Sequence, residues 1–469
     1  MHSLACPIDP HSMNAEPPHS PFSIHWPQKA GYSFASVGLS AIELMLQVFL
    51  LELYILAGLP PSMAGLAIAI AVIWDAVSDP LMGILSDKTP ASKIEGKRVP
   101  YLLTGAAIIG FAFYSLFSPP VDSGPNALFA NLLVWYLVVN TAMTLFSVPH
   151  LSVVNDLSRS EQERATFFGW RIVAGSVGLL LGIGLPAYLA FQFDGSSIAN
   201  TLELRSATAL ALGLTASAGC LISGLSIWRA LKEKGKGSPL KVSVSYRTVE
   251  IFKESVRSPF FVLLVFGFMA IAVGRSFNSS LALPYYKTTL KLKEEQIGLI
   301  LLVLTVFIIL AVPMWVHFSK AIGKARLFFG AVIPLALLSS IVYPILPVGL
   351  LWPVILIAGT GGVLVASIVL LESLFSDFIE DEITRTSKNV SGVYYGIWRM
   401  LSKVARALGI ACTGLFLSLV GYEQGSLIQA PSIERSIAWA FGPGVAVFFA
   451  AGGWCIYKTT LYNNRKSQQ

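Results

Sequence analysis

Long apolar stretches recur about twelve times along this chain of 469 residues. Each stretch reaches about 20 residues, the length at which an α-helix crosses the hydrocarbon core of a bilayer. Charged residues make up 13% of the chain, about half of their usual share in soluble domains. The pattern therefore predicts an all-α membrane protein with twelve transmembrane helices, near residues 31–57, 62–86, 100–118, 127–155, 164–190, 206–230, 259–285, 297–318, 325–346, 349–376, 390–420 and 434–457.

A polar segment in the middle of the chain divides the spans into two sets of six. A basic, glycine-containing turn follows the second span and recurs after the eighth. Paired halves of this kind are the architecture of many secondary transporters, so the repeat favours that class. We predict a flexible N-terminal tail at 1–27, a six-helix half at 28–230, a linker at 231–258, a second six-helix half at 259–457 and a C-terminal tail at 458–469.

Basic residues indicate how the chain lies in its membrane. Most of the 33 Lys and Arg residues fall on the same side as the termini, and Lys and Arg are enriched in cytoplasmic loops. We therefore expect a multi-pass protein of the plasma (inner) membrane with both termini in the cytoplasm. The net charge of +7 follows from this distribution and needs no nucleic-acid partner. The expected partners are a small-molecule substrate and membrane lipid, and the fold is expected to be complete as a monomer.

Two aspartates, Asp75 and Asp79, lie within the second apolar span. Their i,i+4 spacing places both on one helical face, with Ser78 beside them. An ionised carboxylate at the centre of a membrane helix costs roughly 2.5–3.5 kcal/mol, so the pair requires a cation, a proton or a water-filled cavity. One interpretation is that both groups are protonated or paired inside the helical bundle. The alternative, which we favour, is a site for a coupling ion.

Motifs of soluble enzymes do not occur in this sequence. It contains no GxxxxGK[ST] phosphate loop, no HExxH pair and no GxSxG elbow, and its four cysteines lack metal-ligand spacing. We predict that the protein is not an enzyme, needs no cofactor and binds no metal beyond a coupling cation. An intramembrane enzyme that uses the two aspartates as acid and base is disfavoured, because both lie on one helix without a second catalytic motif.

Several segments, in the right order, resemble the glycoside-pentoside-hexuronide:cation symporters. This family belongs to the major facilitator superfamily and includes melibiose permease and the sodium-dependent lysophosphatidylcholine symporters. The WDxxxDP pattern at 74–80, followed by a GKR turn at 96–98, is the most specific match. The other matching segments are 146–150, 160–171 and 376–403. The resemblance implies the major facilitator fold, with twelve helices in two six-helix halves.

The resemblance also implies a cation site on the second and fourth helices. Its ligands would be Asp75, Ser78, Asp79 and Thr144, which supply the oxygen atoms that hard cations prefer. Lys403 matches a lysine of the eleventh helix that compensates the charge of the acids when no ion is bound. The coupling ion would be Na⁺ or H⁺.

Substrate residues are where the sequence departs from the sugar-carrying relatives. Two aspartates that hold sugar hydroxyls in melibiose permease are replaced here by Ser40 and Ser147. Glu43, about one turn after Ser40, could supply a displaced acid, and Arg171 matches an arginine of the family's charge network. Arg275, Arg399 and Arg406 are expected to pair with Glu372 or Asp377.

Alternating-access symport of a sugar or glycoside-like solute is therefore the first functional hypothesis. Because both sugar aspartates are missing, a lysophospholipid or another amphiphile is the alternative substrate. A sensor that uses a transporter scaffold without transport is a remote alternative.

Overall fold

The computed structural model describes residues 26–89, 98–157, 161–190, 197–234, 259–386 and 391–466. These residues form helices joined by short turns, and no β-strand occurs among them. Eleven helices are long and apolar enough to cross a membrane alone, and one bent pair makes a twelfth crossing. Each span is helical because backbone N–H and C=O groups must be satisfied internally in lipid. The prediction of twelve transmembrane helices is confirmed.

Six spans precede residues 235–258 and six follow them. The first half comprises α1 in three consecutive pieces (Trp26–Ser33, Ala35–Val48, Leu50–Leu56), α2 (Pro61–Lys88), α3 (Val99–Leu116), α4 (Gly124–Leu157), α5 (Glu161–Ala190) and α6 (Ile198–Lys234). The second half comprises α7 (Pro259–Pro284), α8 (Glu294–Ile322), α9 (Lys324–Val342), α10 (Leu351–Val365 and Val369–Thr386), α11 (Ser391–Leu419) and α12 (Pro431–Trp439 and Val445–Lys466).

Three spans are broken, which the apolar pattern does not predict. The chain bends by 50° between Val48 and Leu50 in α1. A 3₁₀ turn at Ala366–Ile368 interrupts α10, and a π turn at Ala440–Gly444 interrupts α12. The π turn contains Pro443, whose missing N–H removes a helical hydrogen bond. Apolar composition continues through these breaks, so hydropathy alone does not reveal them.

The predicted N-terminal tail and linker lie largely outside the described residues, whereas most of the predicted C-terminal tail lies within them. The N-terminal tail is described only from residue 26, where α1 begins. Of the linker, residues 231–234 continue α6, and the remainder lies outside the described part. In the C-terminal tail, helix α12 continues from 458 to Lys466.

Close helix crossings in each half depend on small residues. In the first half, α3 crosses α6 where Gly110 faces Gly213 and Ser217. A Cβ added at Gly110 would lie 2.6 Å from the carbonyl oxygen of Gly213 and 2.5 Å from Ser217 Oγ. Lipid supplies no hydrophobic drive between helices, so such close backbone packing is a main source of helix association.

We expect Gly110→Ala to destabilise the protein, because the added methyl group forces α3 away from α6. Overpacking of this kind costs about 1–3 kcal/mol. Gly330→Ala is the matched control, because Gly330 lies on α9 with open space around the position of its Cβ. Alanine favours a helix by up to about 1 kcal/mol over glycine, so the control should be unchanged or more stable. Thermal unfolding of both variants in detergent checks the difference in sign.

The two ends of the bundle differ in how the halves meet. We call the end that holds the start of α1 and the finish of α12 the terminal end, and the opposite end the far end. At the far end, the Ser62 N–H donates to Ser418 Oγ at 3.1 Å, and the Gly425 N–H donates to the Ile55 carbonyl oxygen at 3.0 Å. The hydrogen bonds and ion pairs identified between halves, among the described residues, lie at this end or at mid-bundle.

Glycine backbones bring the halves together at the far end as well. Gly65 of α2 meets Gly414 of α11, and Gly298 of α8 meets Ala187 of α5. Each pair joins one helix of the first half to one helix of the second. The halves are therefore packed together at the far end, and the space between them lies nearer to the terminal end.

Candidate cation and substrate site

The two aspartates of α2 share one hydroxyl group of α4. Thr144 Oγ1 lies 3.1 Å from Asp75 Oδ1 and 2.9 Å from Asp79 Oδ1, within hydrogen-bond distance of both. Ser78 Oγ lies 3.4 Å from Thr144 Oγ1 and donates to the Asp75 carbonyl oxygen at 3.3 Å. Asp75, Ser78 and Thr144 are buried, and Asp79 is half-buried. The four residues thus present a compact group of oxygen atoms, of the kind that hard cations bind.

Hydrogen bonds between α2 and α4 align these groups. Asn140, one turn before Thr144, donates its side-chain N–H to the Ala71 carbonyl oxygen at 2.7 Å. Trp74 Nε1 donates to Thr141 Oγ1 at 3.1 Å on the neighbouring face. These contacts hold the two helices in register, so that Thr144 lies opposite both aspartates.

Lys403 reaches the aspartates from α11 in the second half. Its ammonium nitrogen lies 2.8 Å from Asp75 Oδ2 and 2.5 Å from Asp79 Oδ2. It also donates to the Asp75 carbonyl oxygen at 3.2 Å. The structure therefore brings all five sequence-derived residues together, although they come from three helices and both halves. A cation bound to both carboxylates would compete with this ammonium for the same oxygen atoms.

Arg406 is a second cation at this site, and its contacts differ from those expected from sequence. One of its nitrogens, Nη2, lies 3.7 Å from Asp75 Oδ2, and the other, Nη1, lies 3.4 Å from Glu43 Oε1. Arg406 thus links the aspartates of α2 to the candidate substrate acid of α1. The sequence indicates this contact with the aspartates through the position of Arg406, which lies three residues after Lys403 and therefore on the same face of α11.

The expected ion pairs of the arginines with Glu372 or Asp377 do not form among the described residues. Asp377 pairs with Lys324 at 2.6 Å instead, and Arg406 pairs with Glu43 and Asp75. Glu372 and Arg275 both line the space between the two halves, yet no ion pair within 4.0 Å forms between them. The wrong assignments arose because the facing residues of different helices cannot be read from helix phase alone.

A cavity of about 900 Å³ lies between the two halves, next to the aspartates. Residues from both halves line it, including every candidate substrate residue: Ser40, Glu43, Ser147 and Arg171. Asp75, Asp79, Thr144 and Lys403 form part of the same wall. Its volume falls within the range of small-molecule sites in proteins. An ion on the aspartates and a solute in the cavity would therefore be neighbours.

The far end carries a buried cluster of four charges that sequence reasoning missed. Arg205 of α6 pairs with Glu294 of α8 at 2.8 Å, and Lys287 pairs with both Glu52 and Glu294. The exposed fractions of the four side chains are 1% for Arg205, 4% for Glu52, 7% for Glu294 and 11% for Lys287. We call these residues the far-end charge cluster. This cluster joins the two halves at the far end, beyond the cavity. Its indication in the sequence is Glu52, a single acidic residue within an apolar stretch.

Family comparison agrees with this architecture. A family model described as MFS/sugar transport protein matches residues 30–463. The sodium-dependent lysophosphatidylcholine symporter 1-A of Danio rerio is 22% identical over 466 residues, covering 92% of this chain and 85% of that protein. The uncharacterized symporter YnaJ of Bacillus subtilis (strain 168) is 25% identical over 400 residues, covering 84% and 83% respectively.

Solved structures show the same fold at low sequence identity. The nucleoside transporter NupG superposes with a TM-score of 0.66 at 12% identity, covering 92% of this chain and 98% of that one. The twelve-helix arrangement in two halves, the central cavity and a family match across nearly the whole chain lead to one conclusion: this multi-pass membrane protein belongs to the MFS/sugar transport protein family of transporters.

Proposed function

We propose that this protein is a cation-coupled symporter with its ion site at Asp75, Ser78, Asp79 and Thr144. The observation that carries the proposal is the grouping of these oxygen atoms around one ammonium, that of Lys403, in the wall of the central cavity. Two carboxylates within a membrane bundle require compensation. Lys403 supplies it when no ion is bound, and the coupling ion takes over that role when Lys403 withdraws.

Coupling between ion and substrate follows because the ion site and the candidate substrate residues line the same cavity. An arriving cation displaces Lys403 from the carboxylates, and Arg406, which contacts both Asp75 and Glu43, carries the change of charge to the substrate side. Ion and substrate then increase each other's affinity by the same factor, because coupling is one free energy seen from two sites. The loaded halves rock about the site to expose it on the opposite side.

We place the terminal end in the cytoplasm of the plasma (inner) membrane, on the distribution of basic residues. The structure then corresponds to an inward-facing carrier, with the far-end charge cluster closing the outer side. The division into two halves at 28–230 and 259–457, the linker and the tails remain part of this proposal. A single chain contains both halves and the complete site, so a monomer suffices for transport.

The substrate is proposed to be a sugar or glycoside-like solute, with an amphiphile as the second candidate. Support for the second comes from Ser40 and Ser147, which offer only hydroxyl groups at the positions of the sugar aspartates. The cavity also has apolar walls, formed by residues such as Leu39, Phe168 and Ile271. The likeness to a sodium-dependent lysophosphatidylcholine symporter points in the same direction. A non-transporting sensor would have no need of the complete ion site.

Thr144→Val tests the ion site. Measuring its stability against both sodium and pH distinguishes sodium coupling from proton coupling. The substitution keeps the shape of the side chain but removes an oxygen atom that touches both carboxylates. Sodium at about 100 times its Kd should stabilise the native protein by about 2.7 kcal/mol. We expect Thr144→Val to weaken the apparent sodium affinity about tenfold, since one hydrogen bond or ligand contributes on the order of 1 kcal/mol. Thermal unfolding in NaCl, balanced with choline chloride, measures this effect.

Thr215→Val is the matched control, because Thr215 lies on α6 outside the cavity wall and its hydroxyl donates to the Ala211 carbonyl oxygen of the same helix at 2.8 Å. Its sodium response should equal that of the native protein. A stability that depends on pH but not on sodium would assign the coupling to protons. A stability that responds to neither ion would contradict cation coupling at this site.

A further inference from the structure

The central cavity holds more basic than acidic side chains. Its wall includes five Lys and Arg residues, namely Arg171, Arg275, Arg399, Lys403 and Arg406. It includes four acidic residues, namely Glu43, Asp75, Asp79 and Glu372. The excess grows when a coupling cation enters. Arg275 and Arg399 are exposed in the open cavity, and Arg171 is half-buried. Uncompensated charge becomes costly when the halves close over the cavity and exclude water, so a positive cavity of this kind favours a negatively charged occupant.

Three of the five Lys and Arg residues form no ion pair with the residues that the structure describes. Lys403 and Arg406 form ion pairs with Asp75, Asp79 and Glu43. In contrast, neither Arg171, Arg275 nor Arg399 has a carboxylate oxygen within 4.0 Å among the residues that the structure describes. We call these three the unpaired arginines. Their guanidinium groups line the cavity with donors available to a ligand.

The unpaired arginines come from both halves of the protein. Arg171 lies on α5 of the first half, while Arg275 and Arg399 lie on α7 and α11 of the second. Arg171 and Arg399 line the same cavity from opposite halves. Like charges on the two halves repel each other and oppose closure at the terminal end. An anion bound between them would turn this repulsion into attraction to a common partner.

We propose that the transported substrate carries an anionic group, a carboxylate or a phosphate, that the unpaired arginines bind. The inference rests on the proposed function as a carrier and adds the chemical class of its cargo. Arginine suits this task because its planar fork binds two oxygen atoms of a carboxylate or phosphate at once. The same group can be part of a sugar acid, a sugar phosphate or an anionic lipid. In each case, its binding offsets the positive excess of the cation-loaded cavity and favours closure of the halves.

Two matched pairs of probes test the charge requirement. The first is methyl glucoside against methyl glucuronide, and the second is monooleoylglycerol against 1-oleoyl lysophosphatidate. Binding to the purified native protein is measured by thermal unfolding, with and without sodium. We expect the anionic member of at least one pair to bind about 10- to 100-fold more tightly than its neutral partner. The pair that shows the preference distinguishes a sugar acid from an anionic amphiphile.

Variants of Arg399 connect the preference to the unpaired arginines. Arg399→Gln should reduce the preference at least about tenfold, whereas Arg399→Lys keeps the charge and should retain part of it. Lys291→Gln is the control, because it removes one positive charge from an exposed position at the far end. The same substitution at Arg171 and Arg275 should act as at Arg399.

Equal binding of neutral and anionic members, or no binding of either anionic probe, would overturn the inference. So would an unchanged preference in all three arginine-to-glutamine variants. Failure of the proposed function gives a different result. If the protein prefers the anionic probe equally with and without sodium and at every pH, cation coupling is contradicted and the anionic cargo stands. If sodium promotes the binding of the neutral and the anionic probe equally, the anionic cargo is contradicted and cation coupling stands.

Discussion

Asp79→Asn is expected to abolish ion-driven accumulation while the protein still inserts and folds. The substitution keeps the size of the side chain, but it removes a carboxylate that contacts both Lys403 at 2.5 Å and Thr144 at 2.9 Å. An amide cannot supply the charge that a cation requires. Loss of a charged contact of about 3 kcal/mol corresponds to an affinity for the coupling ion lowered on the order of 100-fold.

The measurement is direct binding of radioactive sodium to the purified variant, together with sodium-driven uptake into proteoliposomes of a probe that stabilises the native protein. Asp377→Asn is the matched control, because Asp377 also pairs with a lysine, Lys324, but lies outside the cavity wall. The control should retain sodium binding and uptake. Gradient-driven uptake that survives Asp79→Asn would remove this residue from the ion site.

Glu294→Gln is expected to shift the carrier towards a state that is open at the far end. Glu294 pairs with both Arg205 and Lys287, so its neutralisation leaves two buried cations facing Glu52 alone. Removing one partner of a buried ion pair costs about 3–5 kcal/mol, because the charge of the other partner stays desolvated. Opening the far end hydrates the remaining charges and relieves that cost. A bias of about 3 kcal/mol would change the ratio of the two states by roughly 150-fold.

Distances between spin labels at the far end report this shift. Labels on cysteines introduced at Ser123 and Val348, in a background without native cysteines, lie on exposed sites of opposite halves. The native protein should give one short distance, and Glu294→Gln should add a longer one. Glu434→Gln is the control, because its pairing with the exposed Lys291 at 3.6 Å contributes only about 0–1 kcal/mol.

A charge-balanced variant distinguishes a gate from a purely structural cluster. Combining Glu294→Gln with Lys287→Met leaves Glu52 and Arg205 as one acid and one base. This variant should recover the short distance in part, since no net charge is left buried. An unchanged distance distribution in Glu294→Gln would show that the cluster does not hold the far end closed.

Local properties of the sequence determined much of this fold. Hydropathy predicts the spans, because each helix must be apolar over about 20 residues wherever it lies in the membrane. The i,i+4 spacing of Asp75 and Asp79 predicts that both carboxylates share one face of α2. The meeting of these acids with Thr144 and Lys403 followed from family resemblance instead, since 328 residues separate Asp75 from Lys403.

Contacts between the two halves were decided only by the tertiary structure. Neither the link from Glu43 through Arg406 to Asp75 nor the far-end charge cluster follows from any local pattern. The same holds for the arginines, whose acid partners were assigned wrongly from sequence. Such contacts depend on the rotation of each helix and on the conformation of the carrier. Sequence therefore determined which charges the membrane bundle contains, and tertiary structure decided which of them are paired and which remain open to a ligand.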